Sequence, residues 1–146
     1  MIIFELVHKY YIFENAPCYS NKHLGYFSDI ERLKEAISHY SLLPGFRDAP
    51  NGFVVERREM TGEITNGKIF SSCIYAHTDD FENYDEWIEL GLFGDKNSAE
   101  DAIQVFVADN PLFLSDTNLE IERLVLECRL NKCDGWAEGF SVDEVY

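Results

Sequence analysis

The sequence predicts an α+β fold: two tandem strand-strand-helix-strand units, an antiparallel sheet with helices packed on it, and a shared core. Three observations predict it. Leu24 to Tyr40, "LGYFSDIERLKEAISHY", matches Leu90 to Phe106, "LGLFGDKNSAEDAIQVF", at a constant offset of 66 residues. Leu24 lies over Leu90, Gly25 over Gly91, Phe27 over Phe93, Asp29 over Asp95 and Ala36-Ile37 over Ala102-Ile103. The segments flanking these matches alternate apolar and polar residues, as strands with one covered face do. The segments that follow the Gly-x-Phe matches carry apolar residues at helical spacing. One offset kept across several elements marks an internal duplication, with a first unit over 1–67 and a second over 68–146.

The opening "IIFELVHKYYIF" is rich in β-branched and aromatic residues and reads as the first strand. Its counterpart is "KIFSSCIYAH", which ends at His77 as "FELVH" ends at His8. "HLGYF" and "ELGLF" are the short second strands. The first helix has Ser28 as its candidate N-cap and Glu31 three residues on, a capping box. Ile30, Leu33, Ile37 and Tyr40 then share one helix face. The second helix opens at Asn97 or Ser98 and buries Ala102, Ile103 and Phe106. "LPGF" (43–46) and "NPLF" (110–113) are the two helix exits, where proline stops the helix and an aromatic folds back. Phe53 to Met60 and Leu119 to Leu126 are the last strands, matched at the same offset with Glu56-Arg57 over Glu122-Arg123. "TGEITNGK" (61–68) connects the units, punctuated by Gly62 and Asn66-Gly67.

Composition narrows the function. The chain has 146 residues, 46% hydrophobic and 14% aromatic, enough for a real core. With 12 basic against 27 acidic residues its net charge is −15. Phosphate backbones and anionic membranes need a cationic surface, so neither direct nucleic-acid binding nor membrane binding is expected. A basic partner is favoured, although acidity also serves plain solubility. No apolar run approaches membrane-spanning length. "MIIFELVHKYY" lacks a basic n-region and reads as a strand rather than a signal peptide, so a cytoplasmic location is expected. Of the four cysteines, none forms CxxC; partly buried free thiols are the expectation, and a zinc site requires distant residues to converge.

No phosphate loop, dinucleotide fingerprint, HExxH or GxSxG motif occurs, so no cofactor is expected and no catalytic residue is assigned. His8 and His77, read as equivalent strand ends, admit two accounts: a paired acid/base or metal site with nearby carboxylates, or simple packing and capping. The sharpest local feature is "TDDFENYDEWIELGLFGDKNSAED" (78–101), which holds nine acidic residues against Lys96 alone, with Phe81, Tyr84 and Trp87 at three-residue steps. Its carboxylates lack the order of a calcium loop. It reads either as a docking surface with aromatic anchors among steering acids, or as a solvated acidic loop whose aromatics pack on the core. The candidate partner-binding residues are Asp79, Asp80, Glu82, Tyr84, Asp85, Glu86, Trp87 and Glu89. Charge is also split unevenly: residues 1–67 carry 7 basic and 9 acidic residues, while 68–146 carry 5 and 18. One copy has specialised.

From "FELVH" through "GYFSDIERLKEAI" to "LPGFRDAPNGFVVERREM", the first unit resembles a small bacterial domain of unknown function. That domain closes on a W-x-E-G-F ending, found here as Trp136 to Phe140 in the second unit. These motifs are structural and transfer no catalytic residue. By type, a small, acidic, aromatic-rich protein resembles the immunity proteins of bacterial toxin systems, including contact-dependent growth inhibition. The resemblance implies a cognate basic toxin domain as partner, often a nuclease, with carboxylates of 79–89 standing in for phosphates and Tyr84 and Trp87 as anchors. A metal-binding protein or hydrolase built on His8 and His77, and a ligand-sensing regulatory module, are the alternatives.

Overall fold

The computed structural model describes residues 1–11, 19–47, 49–78, 85–115 and 119–133. It is α+β, with a six-stranded mixed sheet in the order β2-β1-β3-β5-β4-β6. The strands are β1 (Ile2–Tyr11), β2 (Tyr19–Phe27), β3 (Phe53–Thr61), β4 (Lys68–His77), β5 (Asp85–Phe93) and β6 (Glu120–Arg129). The helices are α1 (Ile30–Ser41), α2 (Pro44–Arg47), α3 (Lys96–Asp109) and α4 (Pro111–Leu114). One pairing departs from the antiparallel expectation: β3 meets β5 in parallel at Met60–Leu92 and Thr61–Phe93. Side-chain alternation fixes which face a residue occupies and leaves strand direction open.

The duplication is visible in the hydrogen-bond registers. Phe4 pairs with Phe27 and Phe70 with Phe93; Leu6 pairs with Gly25 and Ser72 with Gly91. Every one of these positions is displaced by 66. Both ladders slip at the same place, after Leu6 and after Ser72, leaving Leu24 and Leu90 as the extra residues of two equivalent bulges. The bulge glycines have φ of +149° at Gly25 and +157° at Gly91, which side chains disfavour. A Cβ on either would lie 3.1 Å from the ring of the next-but-one phenylalanine, Phe27 or Phe93. The Gly-x-Phe match in the sequence is this device, an aromatic ring laid over a bare backbone. The last strand is displaced differently. Met60 pairs with Leu92, whereas Leu130 pairs with Tyr26, the equivalent of Leu92, so Met60 corresponds to Leu130 at an offset of 70. The Glu56-Arg57 and Glu122-Arg123 match is therefore one of sequence, with the strand shifted by four.

Residues Ile2–Arg58 with the chain from Arg129 on form one compact unit, and Met1 with Glu59–Cys128 the other. The first unit's core is Leu6, Leu24, Phe27, Leu33, Ala36, Tyr40 and Phe46, flanked by Phe4, Ile37, Leu43 and Phe53. α1 is capped by Asp29, whose carboxylate accepts from the Glu31 backbone N–H at 2.8 Å, so the cap lies one residue after the expected Ser28. Ser28 is bound instead by Asn131, which accepts from its backbone N–H at 2.9 Å and donates to its hydroxyl at 3.0 Å. Ile30, expected on the buried face, is exposed; Leu33, Ala36 and Tyr40 carry the contact. Pro44 opens α2, and the turn drives Phe46 into the core, where it is fully buried.

In the second unit α3 begins at Lys96, with Asp95 as its cap accepting from Ser98 N–H at 2.8 Å. Asp95 is the counterpart of Asp29. The Ser98 backbone and hydroxyl hold the Asp95 carboxyl below its usual range. α3 buries Ala99 and Ile103 against β4 and β5, and the Ser72 hydroxyl donates to the Ala99 carbonyl. Asn66 and Gly67 both have positive φ (58° and 65°) between Thr65 and Lys68, a tight turn of the kind Asn-Gly favours. Among the described residues no helix is long and apolar enough to cross a membrane.

Candidate partner-binding site

Ser72 faces α3, so Ser71, Cys73, Tyr75 and His77 of β4 face the other way. Across the ladder Cys73 stands opposite Glu89, Tyr75 opposite Trp87 and His77 opposite Asp85. The Tyr75 and Trp87 rings lie 5.6 Å apart, tilted by 46°, and Tyr75 stacks on His77 at 4.9 Å and 26°. The Ser71 hydroxyl donates to the Glu89 carboxylate at 3.2 Å. His77 Nε2 lies 3.8 Å from the Glu120 carboxylate on β6. Trp87 remains 51% exposed, an indole left half open on a face that also carries Glu89 and Glu120.

Of the candidate residues, Trp87 and Glu89 thus share one face two positions apart. Glu86 is exposed, but alternation turns it to the opposite side of β5, opposite Ala76. Asp85 begins the strand in register with His77. Asp79, Asp80, Glu82 and Tyr84 lie outside the described residues, as does the 136–140 ending. Tyr75 and Glu120 were not singled out in the sequence, and His77 was read there only as a partner of His8; the β4–β5 register and the contact between His77 and Glu120 bring them to Trp87.

The equivalent face of the first unit is different in character. At an offset of 66, Tyr75 corresponds to Lys9, Trp87 to Asn21 and Glu89 to His23. There Lys9 pairs with Glu56 at 3.4 Å, and Glu5, counterpart of Ser71, accepts from His23 at 3.2 Å and from the Arg58 guanidinium. Burial pushes the Glu5 carboxyl up, but the His23 hydrogen bond and the charge and hydrogen bond of Arg58 outweigh it, leaving Glu5 below the ordinary glutamate value. One scaffold thus carries an ion-paired face of mixed charge in one copy and an aromatic, acidic face in the other.

The pairing of His8 with His77 does not survive the register. His8 stands opposite Lys22, as Ile74 stands opposite Ile88; His77 is the counterpart of Tyr11. His8 is fully buried between Phe46 and Phe53, with ring centroids at 4.7 and 4.8 Å and Nε2 2.9 Å from the Ala49 carbonyl. Its place is a packing place. Lys22 is also buried, its ammonium 5.9 Å from the centroid of the Phe46 ring. Among the described residues no three His, Cys, Asp or Glu side chains gather as a metal site. Cys73 is buried and a free thiol. Burial pushes it up, and the Glu89 charge adds to this; hydrogen bonds with Ser71 and Trp87 only partly oppose the rise. A cleft of about 520 Å³ between α3 and β6 sets Lys96 and Arg123 beside Glu100 over Ile103, Leu124 and Val125, a surface of mixed charge unlike the Trp87 face. No family model, curated protein or solved structure matches the chain.

Proposed function

We propose that this chain is an inhibitory binding protein of the immunity type, which docks a basic toxin domain, in the first instance a nuclease, on the acidic second unit. The half-exposed Trp87 carries the reading. An indole buries roughly 150–250 Å² when covered. Leaving about half of that open forgoes about 2–3 kcal/mol at roughly 25 cal/mol per Å². A partner that covers the ring recovers this. The same position in the other copy is Asn21, so the scaffold does not require an aromatic there. Carboxylates around the ring, with 18 acidic against 5 basic residues in the 68–146 half, steer a basic domain and repel acidic ones. In a nuclease partner, these carboxylates occupy the cationic cleft that otherwise holds phosphates.

The test is co-expression of this chain with the product of whatever gene lies directly upstream of its own. Survival of the host is expected with the native chain and its loss with Trp87→Ala combined with Glu89→Lys. An upstream product without toxicity, or survival that is indifferent to both substitutions, overturns the reading.

A further inference from the structure

We propose that the partner enters this face with an arginine side chain, its guanidinium stacked on the Trp87 indole and its N–H groups bonded to the Glu89 carboxylate; this rests on reading the face as a docking surface for a basic protein. Three observations carry it.

The first is geometric. Trp87 and Glu89 lie on one side of β5, two residues apart, a spacing of about 6.5–7 Å along a strand. A planar cation lying on the indole reaches a carboxylate at that distance. Tyr75 packs against the indole and His77 stacks behind Tyr75, so the platform is held in place before anything binds. The second is the orientation of Glu89. The Ser71 hydroxyl donates to its Oε1 at 3.2 Å. This bond holds the Glu89 carboxylate on the face that it shares with Trp87.

The third comes from the duplication. In the first unit a guanidinium already occupies the equivalent face, where Arg58 donates to Glu5 beside His23. Glu5 and His23 are the counterparts of Ser71 and Glu89. At the offset of 70 that relates the last strands, Arg58 corresponds to Cys128. The fold therefore accepts a guanidinium at this place, supplied from its own strand in one copy. In the other copy the strand brings a thiol, and the carboxylate has moved to the Glu89 position beside an open indole. Arginine is favoured over lysine because its flat, weakly hydrated fork stacks on an indole and bonds a carboxylate through two donors at once.

The experiment uses the full chain carrying Trp136→Phe, so that Trp87 is the one indole, titrated with octa-arginine and octa-lysine at equal ionic strength. Affinity is read by calorimetry and location by Trp87 emission. Octa-arginine is expected to perturb the emission and to bind about 10-fold more tightly than octa-lysine. Glu89→Gln and Trp87→Ala each weaken octa-arginine by about 10-fold, while Asn21→Ala on the equivalent face leaves it unchanged. Urea midpoints establish that each variant is folded. If both peptides bind alike and neither Trp87→Ala nor Glu89→Gln matters, the arginine site is refuted while a diffuse acidic docking surface survives. If neither peptide binds at low salt, the docking reading falls and the arginine site with it.

Discussion

Phe46→Ala is the substitution that most directly tests how the first unit is held together. Phe46 is fully buried, and its ring contacts His8 at 4.7 Å, Tyr40 at 5.4 Å and Phe53 at 5.9 Å, with the Lys22 ammonium above it. Truncating a buried phenylalanine costs about 3–5 kcal/mol from lost transfer energy and the cavity left behind. The edge-on aromatic pairs place this site toward the upper end of that range. Typical stabilities are about 5–15 kcal/mol, so a third or more of the total is at stake. With a urea dependence of about 1–3 kcal/mol per molar, the unfolding midpoint should fall by at least about 1 M. The assay is urea unfolding followed by far-UV circular dichroism, with Leu42→Ala as control. Leu42 is 78% exposed and one turn away, so its loss should stay within about 0.5 kcal/mol. A Phe46→Ala midpoint within 0.2 M or so of the native one would refute the claim that the Pro44-Gly45-Phe46 turn is a core plug.

Three further outcomes follow from the geometry. Gly94→Ala places a Cβ against the Glu63 carbonyl oxygen, a backbone atom that cannot rotate aside, so it should destabilise by about 1–3 kcal/mol or more, read as a lower thermal midpoint. Because the folded carboxyl of Glu5 lies below its unfolded value, near 4.5, its ion pairs stabilise the native state above that pH, and this contribution is lost as pH falls through the folded value. The stability difference between the native chain and Glu5→Gln should therefore be present at pH 7 and shrink steadily below pH 4.5; a difference independent of pH would contradict it. Iodoacetamide should label the half-buried Cys128 and Cys133 well before Cys73, whose thiol is buried and shifted upward, and equal labelling rates in peptide mapping would contradict that placement.

The repeat was legible because it rests on backbone requirements. Gly25 and Gly91 sit at bulges, Asp29 and Asp95 cap helices, and each leaves a residue type in the sequence that few others can replace. Where the sequence misled, identity of residue stood in for identity of place. His8 and His77 look alike at the ends of similar strings, but the ladders make Ile74 the counterpart of His8, since His8 stands opposite Lys22 as Ile74 stands opposite Ile88. The last strands matched at 66, while their pairing shows 70. A shift of four preserves alternation, so a pattern of period two is blind to it. Ser28 and Asp29 are both good caps in one capping box. Asn131, 103 residues away, binds Ser28 and leaves the cap to Asp29, a contact beyond any local reading. At the candidate site, Trp87 and Glu89 stood out by composition, but their common face was not read from the sequence, which began the strand at Glu89 where β5 begins at Asp85. Tyr75, His77 and Glu120 join them only through strand register and the contact between His77 and Glu120, and the separation of Glu86 to the other side follows once β5 is known to begin at Asp85.

The most direct test of the docking account is a heteronuclear NMR titration of the labelled chain with the basic partner, or with octa-arginine in its place. The two faces are matched position by position, so one serves as control for the other. The account predicts amide and side-chain shifts concentrated at Tyr75, His77, Trp87 and Glu89, with Lys9, Asn21 and His23 unmoved. Shifts that gather on the Lys9, Asn21 and His23 face, or that spread evenly over every acidic residue, would contradict it.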